Sequence, residues 1–269
     1  MLLLFSGEGS QDLGQNIYGH NGLCAPGQWA PGPMAYLAGE LFRHLHPTER
    51  SFLDEAYFIS RKDLITLSGE FDRPQLRGTG LSKYHSKMAR TLGFVALCLA
   101  AKTELAVIPI FFRDYGRSRS SEPKDYKKVF ESIVGEKQGF RQFNIKSGVA
   151  MLPCPISEVW LLCALKNNYK ACDELENESP HGTNEPDRLK KMLARCLEAR
   201  AFEISDLPEL IQNKTIDHSR IKMPSYDGFS DSLKTAVEIC QRGDWRGELP
   251  GSLRRYCGEA IKRHKSWFE

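Results

Sequence analysis

The stretch Glu104–Phe112, which reads ELAVIPIFF, decides the fold of this chain. Apolar residues occupy both alternating sets of its positions, so neither face of the extended segment is suited to water. This pattern is typical of a central strand in a parallel sheet that is covered on both faces. We therefore predict a buried strand over Leu105–Phe112, with Arg113 and Asp114 following directly at its carboxyl end.

Shorter apolar runs on either side predict three further strands, at Leu2–Ser6, Ala56–Ser60 and Gly148–Leu152. The stretch 10–33 is rich in Gly, Asn, Gln and Pro and is interpreted as a long loop. Helical spacing of apolar residues indicates helices at Met34–His44, Ser82–Lys102, Asp125–Val134 and Ile156–Leu165. Strands that alternate with helices predict an α/β core over residues 1–165, in which a mainly parallel sheet is flanked by helices.

The last hundred residues have a different pattern. Residues 171–186 are acidic and predict a loop, and no strong strand pattern follows them. Helical patterns are found at Pro186–Ala201, Asp227–Gln241 and Ser252–Lys265. We therefore expect residues 166–269 to form a helical C-terminal extension that packs on the core.

Composition limits the class of protein. The 269 residues are 41% hydrophobic and 26% charged, as in ordinary folded globular proteins and unlike disordered or coiled-coil chains. Lys and Arg number 37 against 34 Asp and Glu, which gives a net charge of +3. This small charge permits nucleic-acid binding without requiring it, and any basic surface must be local.

The cysteines bear on the compartment. All eight are scattered along the chain without a CxxC pair, and several lie in apolar runs such as Phe94–Ala100. This distribution predicts reduced thiols. The run Met1–Phe5 is too short for a signal peptide, and no run approaches the length of a membrane span. We therefore expect a cytoplasmic protein without a membrane partner.

Glu8 and Asp114 are predicted at the carboxyl edge of the sheet, where ligands of open parallel sheets collect. Glu8 follows the first strand and Asp114 follows the central strand, and the first loop adds Asp12, four residues after Glu8. Carboxylate oxygens are the hard ligands that Mg²⁺ prefers, so these residues predict a Mg²⁺ (or Mn²⁺) site. The alternative is that each acid only marks the point where its strand reaches water.

These residues also carry a resemblance to a known family. The segment Leu3–Asp12, LLFSGEGSQD, resembles the first motif of Toprim domains, a strand that ends in Glu-Gly-x-x-Asp. Ile108–Gly116 resembles the later Toprim strand that carries aspartates, and segments 148–153, 157–162 and 172–176 are similar to small stand-alone bacterial Toprim-like proteins. The resemblance implies a divalent-metal fold that topoisomerases, primases and OLD-type nucleases use on phosphodiester bonds.

Carried over to this chain, the resemblance implies that Glu8 is the acid/base or metal-binding glutamate and Asp114 the first metal-binding aspartate. Toprim domains usually have Asp-x-Asp at the later strand, whereas Asp114 is followed by Tyr and Gly. Glu158 is our first candidate for the missing carboxylate, and Asp12 is the second. A Glu in the first turn of a helix is equally explained by the helix dipole.

Arginines around Asp114 are candidates for phosphate contacts. Arg113, Arg117 and Arg119 lie within five residues of it. A guanidinium matches phosphate geometry in a bidentate manner, so these side chains are suited to hold the scissile phosphate or its neighbours. The alternative is a solvated arginine loop.

A second basic region lies near the C-terminus. Residues 242–265 interleave basic and aromatic side chains, a combination that favours contact with a nucleic-acid backbone and its bases. Arg254 and Arg255 are the predicted contacts. The alternative is a terminal helix whose aromatic residues pack on the core while its basic residues lie in water.

The leading hypothesis is a Mg²⁺-dependent Toprim-type nuclease acting on DNA or RNA. The resemblance implies a bacterial anti-phage defence or toxin-like setting with a companion ATPase. One alternative is a catalytically inactive Toprim-derived subunit that binds nucleic acid or the ATPase, because the second Asp is absent. Another is an adaptor protein whose C-terminal helices dock a partner.

Overall fold

The computed structural model describes residues 1–19, 21–70, 83–115, 126–134, 139–165, 172, 174–177, 187–246, 258–259, 262 and 265. Seven strands lie within these ranges: β1 (Leu2–Gly7), β2 (Gly14–Asn16), β3 (Leu23–Cys24), β4 (Trp29–Pro31), β5 (Ala56–Ile59), β6 (Val107–Phe112) and β7 (Val149–Met151). Nine α-helices are found in the same ranges: α1 (Pro33–Leu45), α2 (Arg61–Glu70), α3 (Lys83–Thr103), α4 (Tyr126–Val134), α5 (Glu158–Leu165), α6 (Glu174–Asn177), α7 (Arg188–Glu198), α8 (Leu207–Gln212) and α9 (Pro224–Gln241).

A mostly parallel sheet forms the centre of the fold. Its strand order is β3-β5-β1-β6-β7. The strand β1 is parallel to both β5 and β6, and β6 is parallel to β7, whereas the short edge strand β3 is antiparallel to β5. Strands β2 and β4 form a separate antiparallel pair. The predicted fold class, an α/β core with a mainly parallel sheet flanked by helices, is confirmed.

The sheet is buried on both faces because its strands are mostly apolar. All six residues of β6 are buried, as the pattern ELAVIPIFF predicts. In β1, Leu3 and Phe5 pack on one face, and Leu2 and Leu4 pack on the other. Residues of α1, α5, α7, α8 and α9 cover the first face, and residues of α2, α3 and α4 cover the second.

The order of connections places a topological switch point between β1 and β6. From β1 the chain crosses one face through α1 to reach β5, and from β5 it crosses the opposite face through α2 and α3 to reach β6. The chain therefore leaves β1 and β6 in opposite directions along the sheet. Ligands of such sheets bind outside the carboxyl ends of the two strands at this switch point.

Several details differ from the sequence prediction. The stretch predicted as a long loop over 10–33 contains β2, β3 and β4, which are only two or three residues long and too short to show apolar alternation. The helix α6 lies in the stretch 171–186 that was predicted as a loop, and the helices α2 and α8 were not predicted. The helix predicted at Ser252–Lys265 lies almost wholly outside the described residues, and the domain boundary after residue 165 stays a prediction.

One cysteine pair corrects the expectation of eight reduced thiols. Cys163 in α5 forms a disulfide with Cys172, with 5.6 Å between their Cα atoms. The pair is nine residues apart in sequence, and this spacing alone does not reveal the bond. Among the described cysteines the other five form no disulfide. No helix in the described ranges is long and apolar enough to cross a membrane.

Candidate functional site

The carboxyl ends of β1 and β6 are held in close register. Gly7 is paired with Phe112, and the Glu8 amide donates a hydrogen bond to the Phe112 carbonyl at 3.1 Å. A side chain at Gly7 would collide with that same carbonyl, which explains why a glycine stands there. Glu8 and Arg113, the residues after the two paired positions, therefore emerge side by side.

The Glu8 carboxylate lies between two arginines. Its Oε1 is 3.4 Å from Nη2 of Arg61, and its Oε2 is 3.6 Å from Nε of Arg113. Arg61 is the first residue of α2 and follows β5, so three neighbouring strands deliver these three side chains. Nη1 of Arg113 also lies 3.0 Å from Nδ1 of His85 on α3. The side chains alternate positive, negative and positive along the sheet edge.

Asp12 is positioned by the turn between β1 and β2 and by the start of α1. The Leu13 amide donates to the Gly9 carbonyl at 3.0 Å, and the Asp12 carbonyl accepts from the Met34 amide at 2.9 Å. A Cβ at Gly32 would collide with the Asp12 backbone, so the chain entering α1 packs directly against it. Asp12 is thereby fixed above the carboxyl end of β1.

Ser157, just before α5, joins Asp12 to Asp114. Its amide donates to Oδ1 of Asp114 at 2.8 Å, and its hydroxyl donates to Oδ1 of Asp12 at 2.6 Å. The same hydroxyl lies 3.3 Å from Oε2 of Glu158. The residue is 1% exposed. Ser157 is therefore the hub of three carboxylates, which we call the acidic cluster: Asp12, Asp114 and Glu158.

Burial disfavours ionisation of the carboxyl groups in the acidic cluster. Burial, followed by the charges of Asp12 and Glu158, raises the pKa of Asp114 to about 8, although the Ser157 amide and Lys190 oppose this rise. Burial also raises the pKa of Asp12 and that of Glu158. Lys190 on α7, whose Nζ lies 3.7 Å from Oε1 of Glu158, supplies a counter-charge. The cluster thus favours a proton or another cation near neutral pH.

The donor chemistry of the acidic cluster fits a hard divalent cation. Carboxylate oxygens are the usual protein ligands of Mg²⁺ and Mn²⁺, and a bound cation would replace the protons that the raised pKa values favour. As the side chains stand, the part of the chain that the structure describes contains no group of three or more His, Cys, Asp or Glu arranged around a metal position. Binding would therefore require the carboxylates to turn from Ser157 toward the ion.

The structure divides the predicted site residues into two groups. Asp12, Asp114 and Glu158 meet at Ser157, whereas the Glu8 carboxylate contacts Arg113 and Arg61. The remaining predicted contacts lie outside the described residues: Arg117, Arg119, Arg254 and Arg255.

Sequence reasoning did not identify Ser157, Arg61, His85 or Lys190 as site residues. Arg61 directly follows the strand predicted at Ala56–Ser60, so the rule that identified Glu8 could have identified Arg61 too. Ser157 directly precedes the suspected Glu158. Lys190 and His85 have no comparable local signal, because each reaches the site from a helix.

Comparison with known proteins found no match to this chain among family models, curated proteins or solved structures. The class that the fold and site define is therefore an α/β protein with a partly buried acidic cluster at the switch point of its sheet. The Toprim resemblance rests on the motif residues alone.

Proposed function

We propose that this protein is a Mg²⁺- or Mn²⁺-dependent Toprim-type nuclease that cleaves phosphodiester bonds in DNA or RNA. The observation that supports this proposal most is the acidic cluster, three carboxylates gathered around the buried Ser157 where β1 and β6 end. Arg113 follows the same strand end and is suited to pair with phosphate. Carboxylates for a cation and guanidinium for a phosphate are the two parts that metal-assisted phosphodiester hydrolysis needs.

Each part of the acidic cluster has a role in this proposal. Asp12, Asp114 and Glu158 would hold the cation, and Ser157 would keep two of them oriented. A bound divalent ion polarises the phosphoryl oxygen and stabilises the leaving oxygen. When no ion is bound, Lys190 would balance part of the negative charge of these carboxylates.

Glu8 and Arg113 would act on the substrate itself. Arg113 is 14% exposed and held by His85, so its guanidinium is oriented before a phosphate arrives. Glu8 is 30% exposed and lies beside it, within reach of a water attacking the same phosphate. We assign Glu8 the role of accepting the proton of that water.

The setting of the reaction belongs to the same proposal. The Toprim resemblance supports a bacterial defence or toxin-like role with a companion ATPase, in the cytoplasm where nucleic acid is present. The Cys163–Cys172 disulfide is the observation that weighs against that compartment, because disulfides persist mainly in oxidising environments.

A catalytically inactive binding subunit is the second candidate. It is favoured by the ion pairs of Glu8, which leave its carboxylate directed at arginines, and by the absence of an Asp two residues after Asp114. Such a subunit would still bind nucleic acid but would not depend on metal.

Cleavage assays separate these functions. Single-stranded and duplex DNA and RNA are incubated with the purified protein in Mg²⁺, Mn²⁺ or EDTA, with and without the product of a neighbouring gene. We expect cleavage by the wild type in either metal, none in EDTA, and a loss of at least about a hundredfold in Asp114→Asn. Asp231→Asn, an exposed Asp on α9, is the matched control and should cleave normally. Metal-independent cleavage, or full activity in Asp114→Asn, would refute the proposal.

A further inference from the structure

The ion-paired arginines beside Glu8 lie apart from the acidic cluster and offer a different chemistry. Arg61 and Arg113 approach one carboxylate from opposite sides, at 3.4 Å and 3.6 Å. Tight charge-assisted hydrogen bonds between nitrogen and oxygen are about 2.7–2.9 Å long. The carboxylate is therefore held loosely by both guanidinium groups.

Two guanidinium groups share one carboxylate in this group, and Nδ1 of His85 accepts a hydrogen bond from Arg113. A phosphate carries several acceptor oxygens and suits a guanidinium better than a single carboxylate does. It can thus contact both arginines in the place where Glu8 now lies.

Exposure indicates the direction from which a phosphate would enter. Arg61 is 49% exposed and Arg113 is 14% exposed, with Glu8 between them at 30%. The exposed Arg61 lies at the rim on the β5 side, and Arg113 lies deeper, at the end of β6. A phosphate would therefore enter from the side of Arg61.

We propose that Arg61 and Arg113 form a phosphate clamp in which Glu8 occupies the phosphate position until substrate arrives. Arg61 is thereby a substrate-binding residue, and Glu8 is released from its ion pairs when a phosphate group replaces it. The clamp rests on the proposed function for its substrate, a phosphodiester of nucleic acid. Its binding step needs neither metal nor turnover.

The clamp makes opposite predictions for its two kinds of residue. Arg61→Gln removes one guanidinium and should weaken phosphate binding by about tenfold. Glu8→Gln removes the competing negative charge and should strengthen binding by about threefold or more. A purely structural role for the ion pairs predicts a loss of binding, or no change, in both variants.

Equilibrium binding in EDTA tests the clamp. The probes are inorganic pyrophosphate, followed by calorimetry, and a fluorescently labelled short single-stranded oligonucleotide, followed by anisotropy. Arg43→Gln is the matched control, because Arg43 is 46% exposed and paired with Glu40 at 3.2 Å on α1, away from the sheet edge. Thermal melting of every variant shows whether it is folded.

The outcomes are distinct. Weaker binding of both probes by Arg61→Gln and tighter binding by Glu8→Gln, with Arg43→Gln like the wild type, support the clamp. If the effects are confined to pyrophosphate, the clamp serves a free phosphate compound and its nucleic-acid assignment is overturned. Equal binding by Arg61→Gln and Arg43→Gln overturns the clamp itself. If the clamp binds as predicted but the wild type cleaves nothing in Mg²⁺ or Mn²⁺, only the nuclease proposal fails.

Discussion

Replacing Asp114 with Asn should stabilise the metal-free protein, and by more at higher pH. The folded state raises the pKa of Asp114 from 3.8 to about 8, first because it is buried and then because Asp12 and Glu158 lie near. An Asn keeps the Oδ1 that accepts from the Ser157 amide, but it carries no charge. The substitution therefore removes the cost of ionisation while the hydrogen bond is retained.

The magnitude follows from the pKa of Asp114. Below pH ~4 both states are protonated and the wild type retains its full stability. As the pH rises from about 4 to about 8, the unfolded chain ionises while the folded chain does not, so the wild type loses about 1.4 kcal/mol per pH unit. Between about pH 5 and pH 9 the free energy of unfolding of Asp114→Asn should therefore rise relative to wild type by about 4 kcal/mol.

Urea denaturation in EDTA at about pH 5 and pH 9 measures this difference. Asp231→Asn is the control, because its carboxylate is exposed on α9 and should give the same difference from wild type at both pH values. If Asp114→Asn differs from wild type by the same amount at both pH values, Asp114 is not buried among like charges. The description of the acidic cluster would then be wrong.

Three further predictions concern folding and the thiols. Ser157→Ala should lower the free energy of unfolding by about 1–3 kcal/mol in urea denaturation, because Asp12 loses its hydroxyl donor; unchanged stability would contradict the hub role. Gly7→Ala should lower the free energy of unfolding by about 3 kcal/mol, since the added Cβ would collide with the Phe112 backbone. Gly69→Ala should not lower it, because no atom lies near the position of a Cβ at Gly69 on α2. Because two of the eight cysteines form the Cys163–Cys172 bond, titration of the denatured, unreduced protein should find at most six thiols; eight would contradict the disulfide.

The parts of the fold that depend on local pattern were predictable from the sequence. ELAVIPIFF predicts a strand buried on both faces, and β6 is one, because apolar residues at consecutive positions leave no face for water. The position of Glu8 at a strand end follows in the same way. By contrast, the antiparallel pair of β2 and β4 has little apolar alternation. Its pairing therefore depends on the packing of Trp29 against Phe5 and Phe58.

The site was only partly predictable because its contacts are not local. Ser157 and Asp12 are 145 residues apart in sequence, and their hydrogen bond forms only when α5 is packed against the sheet. Glu8 and Asp114 were both predicted as metal ligands; the Glu8 carboxylate contacts Arg113, and Asp114 accepts from the Ser157 amide. Successive residues of a strand point to opposite faces of the sheet. A shift of one residue therefore changes which carboxylates can meet.

Mn²⁺ binding by calorimetry tests most directly whether the acidic cluster is a metal site. Mn²⁺ is titrated into the wild type, Asp114→Asn, Glu158→Gln and the control Asp231→Asn at constant pH. We predict saturable binding by the wild type and the control, and at least about tenfold weaker binding by both cluster variants, because each removes a charged ligand oxygen. Binding that is absent from the wild type, or unchanged in both cluster variants, would contradict the assignment of Asp12, Asp114 and Glu158 as the metal ligands.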